Sequence, residues 1–500
     1  MFRRLWYCAP AILFEWFLRL FRLPVLRSSK IYSLWGFPAL QPAMEAMGVR
    51  RAYCAYLRAK GVCPAYRQFL IDHNAPEIQR PRQLSQIPET NKDNYVKRFS
   101  VEERCHGGAL PARGVVIDES SGSSGAPNNW VRGREERASV RRLLHHGFNL
   151  RFGKKSVFFL NCFALGPWAT GMNVSMAMVD IAILKSIGPD KAKLENTLTL
   201  FEDRYTYVLA GYPPFIKDWL DTTELDLRPF ELHLISGGEG CSEGLRNYFE
   251  QTFRTVLSSY GASDLEINVA AETQLSIALR RSCAAKPELA RELFGREDTP
   301  MIFQYNPLDY FVQQSGEGEL VVTVVRRTTA APKIRYNIKD LGGTHTYRHI
   351  AQTLRPHGID LDSLATPRAA LPFLYVFGRN DLSVPFYGAK VFVTDLDTII
   401  HDTPDLRARF HSFQMQVRED ESMDKTLVIR LERRRGAPLD SDPTQLAKRF
   451  FDRLQHVNQD FREVSKLFGP EKIHVDVFDF EGGPFADRDI RVKNRYIEPS

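Results

Sequence analysis

From about residue 111 to residue 379 short apolar runs alternate with stretches of helical period, and few folds accept that alternation. "SVFFLNCFAL" (156–165) reads as a buried strand. "TYVLAGYPP" (206–214) reads as another, and it runs into a helix at "FIKDWL". "FELHLISGGEG" (230–240) is a strand that enters a glycine turn, and "CSEGLRNYFEQTF" is the helix after it. "TVLSSYGASD" (255–264), "GELVVTVV" (318–325) and "LPFLYVFGR" (371–379) complete the set. Strands separated by helices predict an α/β fold with a doubly wound, largely parallel mixed sheet and some antiparallel additions. The polar loops then fall at the C-terminal ends of the strands, where open α/β sheets bind ligands.

The flanks differ from this core. Residues 27–110 read as mainly helical, broken at prolines 38, 42, 64, 76, 81 and 88. Beyond residue 379 two strand-like runs, "FHSFQMQVRE" and "KTLVIRLERR", precede a long amphipathic helix from Pro443 to Phe468 and a last strand, "KIHVDVFDF". A chain of 500 residues exceeds one ordinary core. The expected regions are a helical N-terminal part (1–110), a ligand-binding core (111–379) and a small α+β domain (380–500).

The segment "LWYCAPAILFEWFLRLFRLPVL" (5–26) is apolar, but Glu15, Arg19 and Arg22 share one helical face. Charges in mid-segment argue against a bilayer span, and no small-residue cleavage site follows, which argues against a signal peptide. The first expectation is a helix packed on the body of the protein. The alternative is an interfacial helix, helped by Arg3, Arg4 and Arg27, that touches a membrane peripherally.

Several function classes drop out. The net charge is +7, yet no dense basic patch with interleaved aromatics is present, so nucleic acid is not an expected partner. The runs "RGREERASVRR" (132–142) and Arg433–Arg435 read as solvated faces. The seven cysteines are far apart and form no CxxC pair, which excludes a zinc knuckle and suits a reducing, cytoplasmic setting. No HExxH, EF-hand loop, GxSxG elbow or Walker lysine occurs.

"ESSGSSGAPNNW" (119–130) is poor in bulky side chains. Taken alone it is either a flexible loop or a cradle in which glycines and hydroxyls wrap a phosphate ahead of a helix. Four further segments follow in order: "SGGEG" (236–240), "YGASD" (260–264), "RYNIKDLGG" (335–343) and "GRNDLSVPFYGAKVF" (378–392). Singly, Asp340 reads as a turn aspartate, Tyr260 as core and Asp264 as a helix N-cap. Together, and in this order, they resemble the adenylate-forming superfamily of acyl-CoA synthetases, adenylation domains and luciferases, and within it the phenylacetate–CoA ligase-like branch. The resemblance spans about residues 115–400 and weakens towards the C-terminus.

The resemblance implies a role for each matched position. Ser120, Ser121, Gly122, Ser123, Ser124 and Gly125 would wrap the ATP β- and γ-phosphates, with Pro127 retained and Asn128 where a lysine is frequent. Gly237, Gly238 and Glu239 would form the turn against adenine. Tyr260 would stack near adenine, and Gly261 would keep the backbone close to the nucleotide. Ser263 would reach the α-phosphate, and Asp264 would hold Mg²⁺ in place of the family's glutamate, one methylene short. Asp340 would accept the ribose hydroxyls, since a carboxylate offers two acceptors to a vicinal diol. Arg379 would be a fixed cation beside ribose and phosphate, and Asp381 the hinge of a mobile C-terminal domain. Lys493 in "DIRVKNRYIEP" would be the catalytic lysine, although the glycine before it is absent. The segment "NCFALGPWATGM" (161–172) would place Phe163, Trp168 and Met172 around the acyl group. The implied activity is ATP- and Mg²⁺-dependent activation of a small carboxylic acid, with transfer to coenzyme A. The alternatives are transfer to a carrier-protein thiol or an amine, or a degenerate member that binds without turnover and sits at a membrane.

Overall fold

The computed structural model describes residues 2–20, 36–120, 128–153, 156–296, 299–326, 329–365, 369–379, 383–436 and 442–486. They fall into two compact units. The first comprises 1–119, 129–211 and 225–378, and the second 120–128, 212–224 and 379–500.

The first unit begins with α1 (Phe2–Leu20), α2 (Gln41–Val62) and α3 (Pro64–Asp72). Proline opens α3 and stands second in α2, where its missing N–H costs nothing. α1 lies on α2: Cys8 and Ala11 are buried, and Glu15 meets Arg51 at 3.3 Å. This contact agrees with the packed-helix expectation. Cys8 and Cys54 form a disulfide across the two helices, a pairing that their spacing did not disclose and that the reading of a reducing setting did not anticipate. Burial removes hydration from the Arg51 guanidinium, and Glu15 partly compensates it. Glu15→Gln is therefore expected to lower the unfolding free energy by about 3 kcal/mol, the usual consequence of stranding one member of a buried pair. Denaturant titration checks this. No helix among the described residues is long and apolar enough to cross a membrane.

The centre of this unit is an 11-stranded sheet in the order β10-β11-β12-β13-β9-β8-β7-β6-β5-β3-β4. A separate ribbon precedes it, β1 (Val116–Ser120) with β2 (Asn128–Arg132), and α4 (Arg134–Phe152) follows that ribbon. The parallel half contains β3 (Val157–Asn161), β4 (Ile183–Ser186), β5 (Thr206–Gly211), β6 (Glu231–Gly237) and β7 (Val256–Tyr260). Every residue of β3 and β5 is buried, as continuous apolar runs between two helical layers should be. Helix α5 (Ala169–Met178) links β3 to β4. The other strands are β8 (Ala270–Ala271), β9 (Met301–Tyr305), β10 (Tyr310–Gln314), β11 (Glu319–Val324), β12 (Tyr336–His345) and β13 (Phe373–Arg379). Their recorded pairings are antiparallel, so the antiparallel share exceeds the sequence expectation. The N-terminal helices share their core with this half: Tyr53, Tyr56, Tyr66 and Phe69 pack in one cluster with Tyr310, Val322 and Tyr336.

The second unit has its own core, built by Phe386, Leu396, Phe413, Ile429, Phe450 and Val475 among others. It contains a ribbon of β14 (Ser383–Phe386) with β15 (Ala389–Phe392) and a sheet of β16 (Phe410–Glu419), β17 (Lys425–Arg433) and β18 (Ile473–Phe478). The single helix expected from Pro443 to Phe468 is broken. One segment runs Pro443–Val457 and a second Gln459–Val464. Asn458 interrupts them because its amide bonds the Lys390 carbonyl at 2.7 Å and the buried Asp395 carboxylate at 2.6 Å.

Candidate functional site

Two turns at strand ends and the middle of a third strand carry the candidate site. β6 ends in Gly237, followed by Gly238 at φ +84, a left-handed conformation that glycine adopts without strain. A Cβ on Gly237 would lie 3.3 Å from the Ser259 carbonyl oxygen and 3.6 Å from the Phe163 ring. β7 ends in Tyr260, and Gly261 then runs so close to its neighbour that a Cβ would stand 2.3 Å from the Ile267 carbonyl oxygen. Glycine is required there by space.

The Tyr260 hydroxyl donates to Asp340 at 2.5 Å, across 80 residues of sequence. Asp340 is buried within β12 at 7% exposure. The preceding Lys339 adopts φ +64, and its N–H bonds the Asn337 side chain at 2.8 Å, a local distortion immediately before the carboxylate. Tyr260 also packs against the Phe303 ring, with centroids 5.5 Å apart. The structure thus brings together two residues to which the resemblance assigns adenine and ribose.

Asp264 has a different setting from the one expected. One of its oxygens accepts from the Tyr336 hydroxyl at 2.8 Å, and the other faces the Lys92 ammonium at 3.4 Å. Both oxygens are engaged, and a cation already stands beside them, so the carboxylate does not fit direct coordination of Mg²⁺. Among the described residues no group of three or more His, Cys, Asp or Glu could hold a metal ion. Lys92 is a site residue that sequence reasoning missed. It is carried in by the 89–92 segment, which pairs with β12: Thr90 N–H bonds the Arg335 carbonyl at 3.0 Å, and Asn337 N–H bonds the Thr90 carbonyl at 2.8 Å. Glu89 fixes Arg335 at 2.9 Å. Beneath Tyr336, Lys333 lies 4.5 Å above the Trp130 ring, and burial with Arg132 and Arg104 nearby pushes its pKa down to about 7.

Arg132 ties the 263–265 turn to the ribbon. Its Nε donates to Asp118 at 2.9 Å, and its two terminal nitrogens bond the backbone oxygens of Ser263 and Leu265. Asn173 closes the set by donating to both Asp118 oxygens at 2.9 Å. The Ser263 hydroxyl lies 3.4 Å from Asp264. Ser120, at the end of β1, is buried. Residues Ser121 to Gly125 of the expected phosphate loop, with Asp381 and Lys493, lie outside the described residues. Arg379 closes β13, and its side chain lies outside them as well. Of the acyl-pocket candidates, Phe163 is buried beside Gly237, Trp168 is half-buried next to α5 and bridged to Glu119, and Met172 is 37% exposed on α5.

Known structures match this architecture closely enough to classify it. A 2-hydroxyisobutyryl-CoA ligase, solved with 2-HIB-AMP and CoA in its thioesterification state, superposes with TM-score 0.61 at 13% identity, covering 91% of this chain and 90% of that one. The chain shares the fold of this ligase. The same ligase in an open conformation superposes with TM-score 0.52 at 14% identity over 92% of this chain and 93% of that one. Its postadenylation form, with 2-HIB-AMP, gives 0.51 at 13% identity over 92% and 90%. No family model matches the chain. No curated protein matches it in sequence. The Gly237–Gly238 turn and Tyr260 lie at the ends of β6 and β7 and Asp340 lies within β12, all in the large sheet.

Proposed function

We propose that this chain is an AMP-forming carboxylate ligase of the phenylacetate–CoA ligase-like branch, which activates a small acid with ATP and passes it to coenzyme A. The hydrogen bond between Tyr260 and Asp340 carries this reading, because it joins two motifs that lie 80 residues apart in sequence. Asp340 holds the ribose hydroxyls, and Tyr260 flanks adenine above Gly237, Gly238 and Glu239. Ser120 to Gly125 surround the β- and γ-phosphates, Ser263 contacts the α-phosphate, and Lys92 adds a fixed positive charge beside Asp264. A carboxylate oxygen attacks the α-phosphorus, the bond from that phosphorus to the β-bridging oxygen breaks, and pyrophosphate leaves. The thiolate sulfur then attacks the acyl carbon, the acyl–phosphate C–O bond breaks, and AMP leaves, with the thiol proton passing to solvent. Positioning and charge neutralisation by the protein supply the rate enhancement. Mg²⁺, when present with ATP, neutralises phosphate charge, and no protein ligand for it is assigned here. Hydroxylamine trapping tests the first step: an acid- and ATP-dependent hydroxamate, formed with AMP and not ADP, is expected.

A second reading has one observation in its favour. Asp264 is committed to Tyr336 and Lys92, which suits a member that binds nucleotide without turnover. ATP binding with no hydroxamate from any acid would select it. A carrier-protein thiol or an amine in place of coenzyme A is decided by adding each acceptor, without hydroxylamine, to the preformed acyl adenylate.

Lys493 and Asp381 should give crossed phenotypes. An ammonium between the attacking carboxylate and the α-phosphate offsets charge in the first half-reaction alone, so Lys493→Ala is expected to lose adenylation but keep transfer from a preformed acyl adenylate. Asp381→Pro, which fixes φ and removes an N–H, is expected to slow thioester formation more than adenylation. Separate half-reaction assays check both.

Peripheral membrane contact through residues 5–26 is supported by Leu13, Trp16 and Phe17, which stand exposed on α1 at 68%, 58% and 45%. Replacing all three by Ser is expected to move the protein from vesicle pellet to supernatant in a sedimentation assay.

A further inference from the structure

The run 132–142 has a use that a solvated face does not explain. Arg134, Arg137 and Arg141 stand at i, i+3 and i+7 on α4, a single stripe at its N-terminal half. Like charges at this spacing repel, and cations at the positive end of a helix dipole are disfavoured. The stripe lines a cavity of about 470 Å³, within the range of small-molecule sites. Arg113 and Arg132 also line it, as do Glu136 and Glu266.

The charges deep in this cavity are already matched within the protein. Arg132 is held by Asp118, Glu266 by Arg326 and Tyr310, and Glu136 by the N–H groups of Gly133 and Ala330. Arg141 pairs with Asp180. Arg113, Arg134 and Arg137 have no ion-pair partner among the described residues. Arg137 donates to the Gly114 carbonyl at 3.0 Å and lies 3.8 Å from the Met176 sulfur, and its Nε is buried with no hydrogen-bond acceptor. The remaining wall is formed by Gly114, by Asn173, whose amide is engaged with Asp118, and by the apolar Ala138, Val140, Met176, Ala177 and Ile267. None of these residues belongs to the set assigned above to ATP or the acid.

We propose that this cavity is a second ligand site, which takes an organic phosphate monoester: a dianionic head on Arg113, Arg134 and Arg137, and a short apolar body against Val140 and Met176. Guanidinium forks suit a phosphate with two charges and three acceptor oxygens. The site communicates with the 263–265 turn through Arg132, which lines the cavity and holds the backbone of that turn.

Isothermal titration of the full chain with phenyl phosphate tests the proposal, with inorganic phosphate and benzoate as separate titrants. The expected result is one site that binds phenyl phosphate more tightly than either titrant. Saturating ATP should not displace it. Arg137→Gln and the double variant Arg113→Gln/Arg134→Gln should each weaken it by about tenfold or more, with the melting temperature and ATP binding unchanged. Absence of binding, displacement by ATP, benzoate binding as tight as phenyl phosphate, or undiminished binding in both variants would overturn it.

Discussion

Asp340→Ala is expected to raise the Michaelis constant for ATP by about 10- to 100-fold, the loss of one or two hydrogen bonds to a charged acceptor. The fold should survive, because the Tyr260 ring that loses its carboxylate acceptor stays packed against Phe303. Tyr260→Phe separates two roles. The ring stays against Phe303, and the 2.5 Å hydrogen bond is lost. A rise of a few-fold is expected, smaller than for Asp340→Ala, because stacking remains and the carboxylate can still accept from the ribose. Steady-state kinetics with both variants, alongside thermal melts, distinguishes a nucleotide contact from a structural one. Equal effects in the two variants would assign the pair to holding β7 against β12.

The second large effect is on stability. Arg132→Leu is expected to cost about 3–5 kcal/mol. Arg132 and Asp118 have side chains only 5% and 1% exposed, and removal of the guanidinium leaves Asp118 with Asn173 while the oxygens of Ser263 and Leu265 lose their donors. Asp118→Asn placed on top of Arg132→Leu removes the stranded charge and should restore part of the loss, which a double-mutant cycle by denaturant titration measures. The turn that carries Ser263 should loosen in Arg132→Leu, so ATP use is expected to fall even at temperatures where the variant is folded.

Most of the parallel half was legible because strands such as β3 and β5 are fully buried, whereas β4, exposed or half-buried at every residue, was missed. Runs such as Val157–Asn161 and Thr206–Gly211 are apolar apart from Asn161 and Thr206, and each is followed by a turn and a helix. The antiparallel half was less so. β12 carries Asn337, Lys339 and Asp340 along its length, and polar residues with a positive φ do not look like a strand until Glu89, Glu319 and Tyr260 are seen to satisfy them. Lys92 could not be found from spacing, since its partner Asp264 lies 172 positions further on and meets it only when the 89–92 segment joins β12. A cue existed in the adjacent "PETNK", where polar residues follow an apolar Ile87 without a helical period. Asn458 shows the same limit on the helical side. In sequence it is one polar residue in an amphipathic run, and only the Lys390 carbonyl and Asp395 make it a break. The arginines of 132–142 were read as a solvated face because their common cavity depends on Arg113 and α5, which are remote in sequence.

The central claim is that the site carrying Gly237, Tyr260 and Asp340 adenylates a carboxylic acid. ATP–pyrophosphate exchange tests it most directly, with labelled pyrophosphate and a panel of aromatic, short aliphatic and hydroxylated acids. The account predicts exchange that requires one class of acid and is lost in Asp340→Ala. Exchange with no acid in the panel by a folded protein that binds ATP, or exchange at an unchanged rate in Asp340→Ala, would contradict it.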